Sequence, residues 1–250
     1  MVQFRWLSER VCEPEVMDDP ALDRQRHFAA LRGLARLNGL SASASIVWKP
    51  IAQLARQLKV DRLRVLDVAT GAGDLPLALW RKARRANLQL DLHGVDISPQ
   101  ALEFARQRAE AEGAAIEFSQ HDVFNTELPR GFDVVISSLF FHHLDNRQAA
   151  TLLRGMADAA NHLVLVNDLR RSVGGWMLAH AAARLFTASD VVQTDAPLSV
   201  KAALTMNEMR ELAAGVGLEG ATVKRRWPCR FLLAWTRHPV SGQMPSERSG

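Results

Sequence analysis

Two stretches of this 250-residue chain place reactive side chains just where a buried strand would end. The first is Arg64 to Leu79, Arg-Val-Leu-Asp-Val-Ala-Thr-Gly-Ala-Gly-Asp-Leu-Pro-Leu-Ala-Leu. Val65, Leu66 and Val68 are apolar and partly β-branched, as a buried strand requires; Gly71 and Gly73 then allow a sharp turn, and an apolar helical run follows. Such a turn lets backbone approach a ligand closely, and its amides and the helix N-terminus face whatever binds there. The second stretch is Leu139 to Leu144, Leu-Phe-Phe-His-His-Leu, directly after the apolar run Phe132 to Ser138. Ligands of open parallel sheets sit outside the carboxyl ends of the strands, so His142 and His143 would present imidazole where chemistry happens.

Spacing and charge narrow the ligand of the glycine turn. A G-x-G-x-x-G dinucleotide fingerprint needs its third glycine at position 76, where this chain has Pro76, and Asp74 would repel a pyrophosphate. Asp67 and Asp74, flanking Thr70, suit instead a ligand that carries an ammonium and a sulfonium. Asp96 closes a strand marked by Leu90, Leu92 and Val95 and lies 23 residues beyond Gly73. That is close to where a nucleotide-binding α/β unit puts a carboxylate on the ribose hydroxyls; an exposed strand-end aspartate is the plainer alternative.

These motifs together resemble the class I S-adenosylmethionine-dependent methyltransferases, with Asp67 to Asp74 as motif I, over roughly Val60 to Arg237. The resemblance implies S-adenosyl-L-methionine as cofactor. It carries the adenine contacts onto Asp122, for the exocyclic amine, and Val123, for the ring; Ile97 and Ser138 join the cofactor set. Without it, Asp122 would read as an aspartate opening a turn. His142-His143-Leu144 is similar to the His-His-Leu of many small-molecule methyltransferases, whereas the Asn/Asp-Pro-Pro-Tyr/Phe of base-modifying relatives is missing. A phenolic acceptor must lose its proton, for which His142 or His143 is the natural base. Asp168, in the polar run Asn167 to Ser172 after the strand His162 to Val166, would orient it; a loop ion pair with Arg170 or Arg171 is the alternative. Ser137-Ser138 is not the acidic pair of the metal-dependent catechol type, so no metal is expected.

The elements that must position these groups alternate as βα units from Leu88 onward. Ser98-Pro99 opens a helix to about Glu112, Ala115 to Ser119 is a third strand, Phe132 to Ser138 a fourth, and Asp145 caps a helix from about Arg147 to Ala160. Gly174-Gly175 marks a break, then an apolar helix with Trp176, Leu185 and Phe186 and a polar loop from Thr187 to Thr194 form an insertion, 173–204, over the acceptor side. Packing on the sheet's edge is the alternative reading of that insertion. Thr205 to Glu208 matches a capping box, and Leu218 to Arg226 with Phe231 to Trp235 forms a hairpin across Trp227-Pro228-Cys229. The expected fold is an α/β, open, doubly wound, Rossmann-like seven-stranded sheet, mostly parallel with an antiparallel C-terminal hairpin. An N-terminal helical cap (1–58) precedes the catalytic unit (59–238), and 239–250 forms a disordered tail. The cap includes an amphipathic helix from Ala21 to Asn38 started by Asp19-Pro20, a Ser41 to Ser45 linker and a helix from Ile46 to Leu58. It serves as a cover of the ligand edge or as a remote packing extension. Phe28 as roof, Trp176 and Arg170 are the candidate acceptor contacts.

Composition fits a globular protein, 48% hydrophobic and 23% charged. No run reaches the eighteen or so apolar residues of a membrane span, and the N-terminus lacks a signal-peptide core, so a cytoplasmic location is expected. Cys12 and Cys229 suggest neither a disulfide framework nor a zinc site. A net charge of +4, spread over Arg81 to Arg85, Arg170-Arg171 and Lys224 to Arg226, is no nucleic-acid footprint. The expected partner is a small-molecule acceptor, with no nucleic acid and no membrane, on a monomer or homodimer. The preferred reaction is O-methylation of an aromatic or polyketide-like acceptor. C- or N-methylation of a quinone-like or amine acceptor, a non-catalytic cofactor-binding protein and a nicotinamide oxidoreductase are the alternatives.

Overall fold

Alternating apolar side chains build the central strands, and the glycine turn begins where β1 (Arg62–Val68) ends. In the computed structural model, residues 43–237 are described throughout, with residues 7, 9–13, 16, 23, 25, 26, 29, 30 and 33 from the N-terminal segment. The order after α1 (Ser43–Leu58) and β1 is α2 (Asp74–Arg85), β2 (Gln89–Asp96), α3 (Pro99–Ala111), β3 (Ile116–Gln120) and β4 (Phe132–Ser138). A single 3-10 turn, Phe141–His143, leads to α4 (Asn146–Ala159) and β5 (Ala160–Leu169). Then come α5 (Val173–Phe186), α6 (Asp190–Ala202), α7 (Met206–Gly215), β6 (Thr222–Arg226) and β7 (Arg230–Thr236).

The strands form one seven-stranded sheet in the order β3-β2-β1-β4-β5-β7-β6. All neighbours are parallel except β7, which runs antiparallel to both β5 and β6. The expected architecture is therefore the observed one. The order reverses between β1 and β4, which opens a crevice at their carboxyl ends. Odd and even positions of β1 feed separate cores. Val65 packs with Ile51 and Leu54 of α1 and Leu79 of α2, whereas Leu66 and Val68 pack with Leu152, Leu153 and Met156 of α4 and Met209 of α7. Full burial of each such side chain contributes about 1.5–3 kcal/mol.

Local signals set most boundaries. Ser98 Oγ accepts from Ala101 N at 3.2 Å, and reciprocal capping boxes join Asp145 with Gln148 and Thr205 with Glu208. Four expectations need correction. Asn167 and Asp168 lie inside β5, because β7 continues to pair with them, Asn167 with Leu232 and Asp168 with Phe231. Residues 190–194 are helical, since Ser189 caps α6. Gly174 and Gly175 form the first turn of α5 under the Ser172 cap rather than a break. Ser43 to Ser45 begin α1 rather than link to it. The roof residue Phe28, the Asp19-Pro20 start and the tail 239–250 lie outside the described residues, as does the side chain of Phe186. Gln25, Arg26, Ala29, Ala30 and Gly33 are helical, within the span expected to be a helix.

The turn is built against β2 and β3 with little room. A Cβ on Gly94 would stand 2.8 Å from the Phe118 ring and 2.8 Å from Thr70 Oγ1. Gly94→Ala is therefore expected to cost about 1–3 kcal/mol through overpacking, read as a lower urea midpoint with an unchanged slope. An unchanged midpoint would show that the ring gives way freely.

Candidate active site

Three carboxylates gather around the glycine turn. Asp67, in β1 beside Gly94 and only 3% exposed, accepts a hydrogen bond from Thr70 Oγ1 at 2.6 Å. Burial pushes its carboxyl up to about 7; the Thr70 hydroxyl opposes this, and the charges of Asp96 and Asp74 add to it. Asp96 accepts from Gly71 N at 2.8 Å and Ser98 N at 2.9 Å, so it ties the turn to the end of β2; burial also raises its carboxyl, against those amide bonds. Asp74 opens α2 and is held by Arg108 of α3, whose Nη1 also donates to Ala72 O at 2.9 Å. The two glycines divide the work. Gly71, at φ +53°, has nothing within 4 Å of a Cβ position and faces open space, whereas Gly73, at φ +71°, lies against Ala105 and Phe118. Ala69 also has positive φ, 57°, a conformation that costs a non-glycine residue about 1–2 kcal/mol.

The second half of the site begins after β4. Leu139 takes φ 60° and donates its N–H to Asn167 O at 2.9 Å, which bends the chain into the 3-10 turn. The turn places the His142 amide 3.1 Å from Asp168 Oδ2 and His142 Nδ1 2.7 Å from Asp168 Oδ1. Both residues are buried, at 5% and 1% exposure. Burial alone would raise the Asp168 carboxyl, but the charge and hydrogen bond of His142, the Leu169 amide and His143 hold it below the usual carboxylate range. The half-buried His143 ring lies over His142 with centroids 4.3 Å apart. Arg10 braces this turn from the N-terminal segment, donating to Phe141 O at 2.9 Å, Asn146 Oδ1 at 3.1 Å and Ala202 O at 2.5 Å.

The other expected residues are placed less directly. Asp122 accepts from Phe124 N, Asn125 N and Asn125 Nδ2, and these bonds, that to Phe124 first, lower its carboxyl; it opens a turn, as its type alone would say. Val123 is half-buried against the core, Ile97 is 61% exposed and Ser138 Oγ accepts from Asn167 Nδ2 at 2.9 Å. Arg170 and Arg171 do not pair with Asp168: Arg171 pairs with Glu208, and Arg170 keeps its Nε buried with no partner among the described residues. Trp176 stacks on His180 with centroids 5.1 Å apart, whereas Leu185, 76% exposed, faces away from the interior. Sequence reasoning missed Arg10, Asn167 and Arg230. Arg230 stands at the head of an apolar strand, the one signal that it would be carried inside.

Comparison with known proteins identifies the family. The family description "Methyltransferase domain" matches residues 65–162. An uncharacterized methyltransferase of Mycobacterium bovis is 30% identical over 182 residues, 70% of this chain and 87% of that protein. The chain belongs to the class I S-adenosylmethionine-dependent methyltransferases. A demethylmenaquinone methyltransferase of Thermus thermophilus is 33% identical over 129 residues, 50% of this chain and 56% of that one. With 46% coverage of the Deinococcus radiodurans counterpart, the chain spans about half the length of these two relatives. Among solved structures, the magnesium protoporphyrin IX methyltransferase of Synechocystis, determined with bound S-adenosylhomocysteine, shares the fold. Its TM-score is 0.54 at 16% identity, over 88% of this chain and 90% of that one. In this methyltransferase the depressed Asp168 carboxyl stabilises the fold at any pH above its unfolded value, and that contribution is lost as pH falls through the folded value. Asp168→Ala should cost about 3–5 kcal/mol at pH 7 in urea unfolding, a gap that narrows below about pH 4. A gap independent of pH would contradict the pairing.

Proposed function

We propose that the chain binds S-adenosylmethionine at the glycine turn and methylates an oxygen of a small aromatic or polyketide-like acceptor, with His142 as base. The residues fit the cofactor. An open Gly71 backbone, an exposed Ile97 and a buried Asp67 whose carboxyl is raised further by the charges of Asp96 and Asp74 form a negative well suited to a ligand with sulfonium and ammonium charges. When bound, the cofactor supplies a methyl group on sulfur. Asp96 would hold the ribose while keeping its amide bonds to the turn, and Asp67 and Asp74 would balance the cationic end. Asp122, Val123 and Ser138 would line the remainder.

The observation that carries the reading is the 2.7 Å contact between Asp168 and His142 Nδ1. A carboxylate at Nδ1 favours the tautomer with its hydrogen there and leaves Nε2 to take a proton from the acceptor. The buried setting locks the ring, and His143, tilted over it, would wall the acceptor side. Holding acceptor oxygen, methyl and sulfur in line would supply most of the acceleration. Residues 59–238 would carry all of this machinery, with residues 1–58 as cover and α5 and α6 as lid. The similarity to demethylmenaquinone methyltransferases favours a second product, since removing a phenolic proton also makes the adjacent ring carbon nucleophilic; the same base serves both.

Three measurements check this. His142→Asn should lower kcat roughly 100-fold or more with S-adenosylhomocysteine affinity within a few-fold, while His143→Ala falls less; unchanged kcat in His142→Asn would remove the base. NMR of product from labelled cofactor separates O- from C-methylation. A cation beside Asp67, whose carboxyl sits at about 7, must favour its charged form. S-adenosylmethionine binding at pH 7 should therefore release protons and weaken as pH falls below about 7, measured by calorimetry in buffers of different ionisation heat. A buffer-independent heat, or the same proton release in Asp67→Asn, would count against the negative well.

A further inference from the structure

A surface helix turns its apolar side chains inward, and α5 carries a second set on its outer side. Its inner side packs on α6, with Ala183 fully buried against Val191 and Val192. Its exposed residues are Gly174, Met177, Leu178, Ala181, Arg184 and Leu185, a single stripe at three- and four-residue spacing. Met177 is 61%, Leu178 43% and Leu185 76% exposed, and no acidic residue occurs anywhere in α5. Apolar side chains scattered over a surface need no explanation, but a stripe of them along one helix does.

The stripe has neighbours of matching character. A Cβ on Gly175 would stand 3.3 Å from Cys229 Cβ, so the first turn of α5 lies against the tip that joins β6 to β7. That tip stands at the carboxyl edge of the sheet, where Arg230 is in register with Leu169 and Arg170 N donates to Cys229 O at 3.0 Å. Trp227, in the tip, is 77% exposed. Immediately before it come Lys224, Arg225 and Arg226 on the outermost strand, and among the described residues no carboxylate forms an ion pair with any of them. Apolar side chains, a bare indole and three cations are thus gathered at the edge where ligands of this fold are held.

A second copy of the chain, meeting this region with its own, would bring two sets of the same cations together with no carboxylate on α5 to receive them. A bilayer with anionic headgroups suits every part. Its phosphates receive the cations, its acyl boundary takes the methionine and leucines, and an indole favours the level between them. Among the described residues no helix is long and apolar enough to cross a membrane, so the contact is with the surface. The expectation of no membrane partner rested on the lack of a span, which a helix lying on the surface does not need.

We propose that the outer stripe of α5 and Trp227 dock on an anionic lipid surface, with Lys224, Arg225 and Arg226 against its headgroups. This docking goes beyond the methyltransferase reading and does not depend on it.

Flotation of the full chain with vesicles tests the surface. Equal parts phosphatidylcholine and phosphatidylglycerol should carry the protein upward at low salt, phosphatidylcholine alone far less, and raised salt should release it by screening. Each cation near such a surface contributes roughly fivefold in affinity, so Lys224→Gln, Arg225→Gln and Arg226→Gln together should weaken binding roughly 100-fold. Leu178→Ser with Leu185→Ser should weaken it roughly 10-fold or more. Brominated lipid should quench tryptophan fluorescence in wild type and much less in Trp227→Phe. Since the altered side chains lie at the surface, each variant should keep the wild-type melting temperature without vesicles. Equal flotation with both vesicles, no effect of the serine pair, or quenching that persists in Trp227→Phe would overturn the proposal. So would a dimer in sedimentation that the serine pair dissolves and vesicles do not, which would assign the stripe to a second copy. If the serine pair fails to fold, the glutamine variant and the quenching decide.

Discussion

A carboxylate deprived of water must find hydrogen-bond donors in the protein, and the burial of Asp168 imposes that requirement on everything around it. It is met by His142, through the ring and the main-chain amide together, and that double attachment dictates the shape of the chain after β4. The amide can reach only if the strand is bent at once into a 3-10 turn, which explains a leucine held at φ 60°. It also explains why Arg10 takes hold of the carbonyls on the far side: a turn pulled inward by one charge leaves its own acceptors pointing out, and a guanidinium covers several of them. Strain at Leu139 and Ala69, both immediately beyond strand ends, falls on the edge where ligands of this fold are held.

The glycine turn works under the opposite condition. Its three carboxylates are kept close by fixed bonds, Asp67 to Thr70, Asp96 to the amides of Gly71 and Ser98, and Asp74 to Arg108. Among the described residues only Asp74 of the three is in an ion pair, whereas Asp67 and Asp96 are held by a hydroxyl and by amides, with burial raising both carboxyls. Gly94 and Gly73 matter because they let Phe118 and Thr70 press the turn into this arrangement, and Gly71 because it alone leaves the outer surface bare.

Much of this was legible in the residues. Strand identity followed from apolar runs, which depend on local composition, and the caps at Ser98, Asp145 and Thr205 from side chains that satisfy amides three residues away. The two clusters of the site were legible because each follows directly from a strand. What escaped depends on distant pairing. The extension of β5 through Asn167 and Asp168 is a consequence of β7 lying alongside, which the polar character of those residues hides. Arg230, left out of both the expected strand and the expected turn, drew no reading of its own, because its partner Ser43 of α1 lies 187 residues earlier in the chain. Arg10, in a segment with no periodicity, gave no signal at all.

The charges of the edge are ordered by the sheet itself. Reading along the carboxyl ends, the carboxylates of Asp67 and Asp96 stand at β1 and β2, the hydrogen-bonded His142–Asp168 pair at β4 and β5, and the buried Arg230 at the head of β7. From β1 to β5 is two strand spacings, about 9–10 Å. The strand order, rather than either loop alone, therefore sets how far the imidazole stands from the glycine turn.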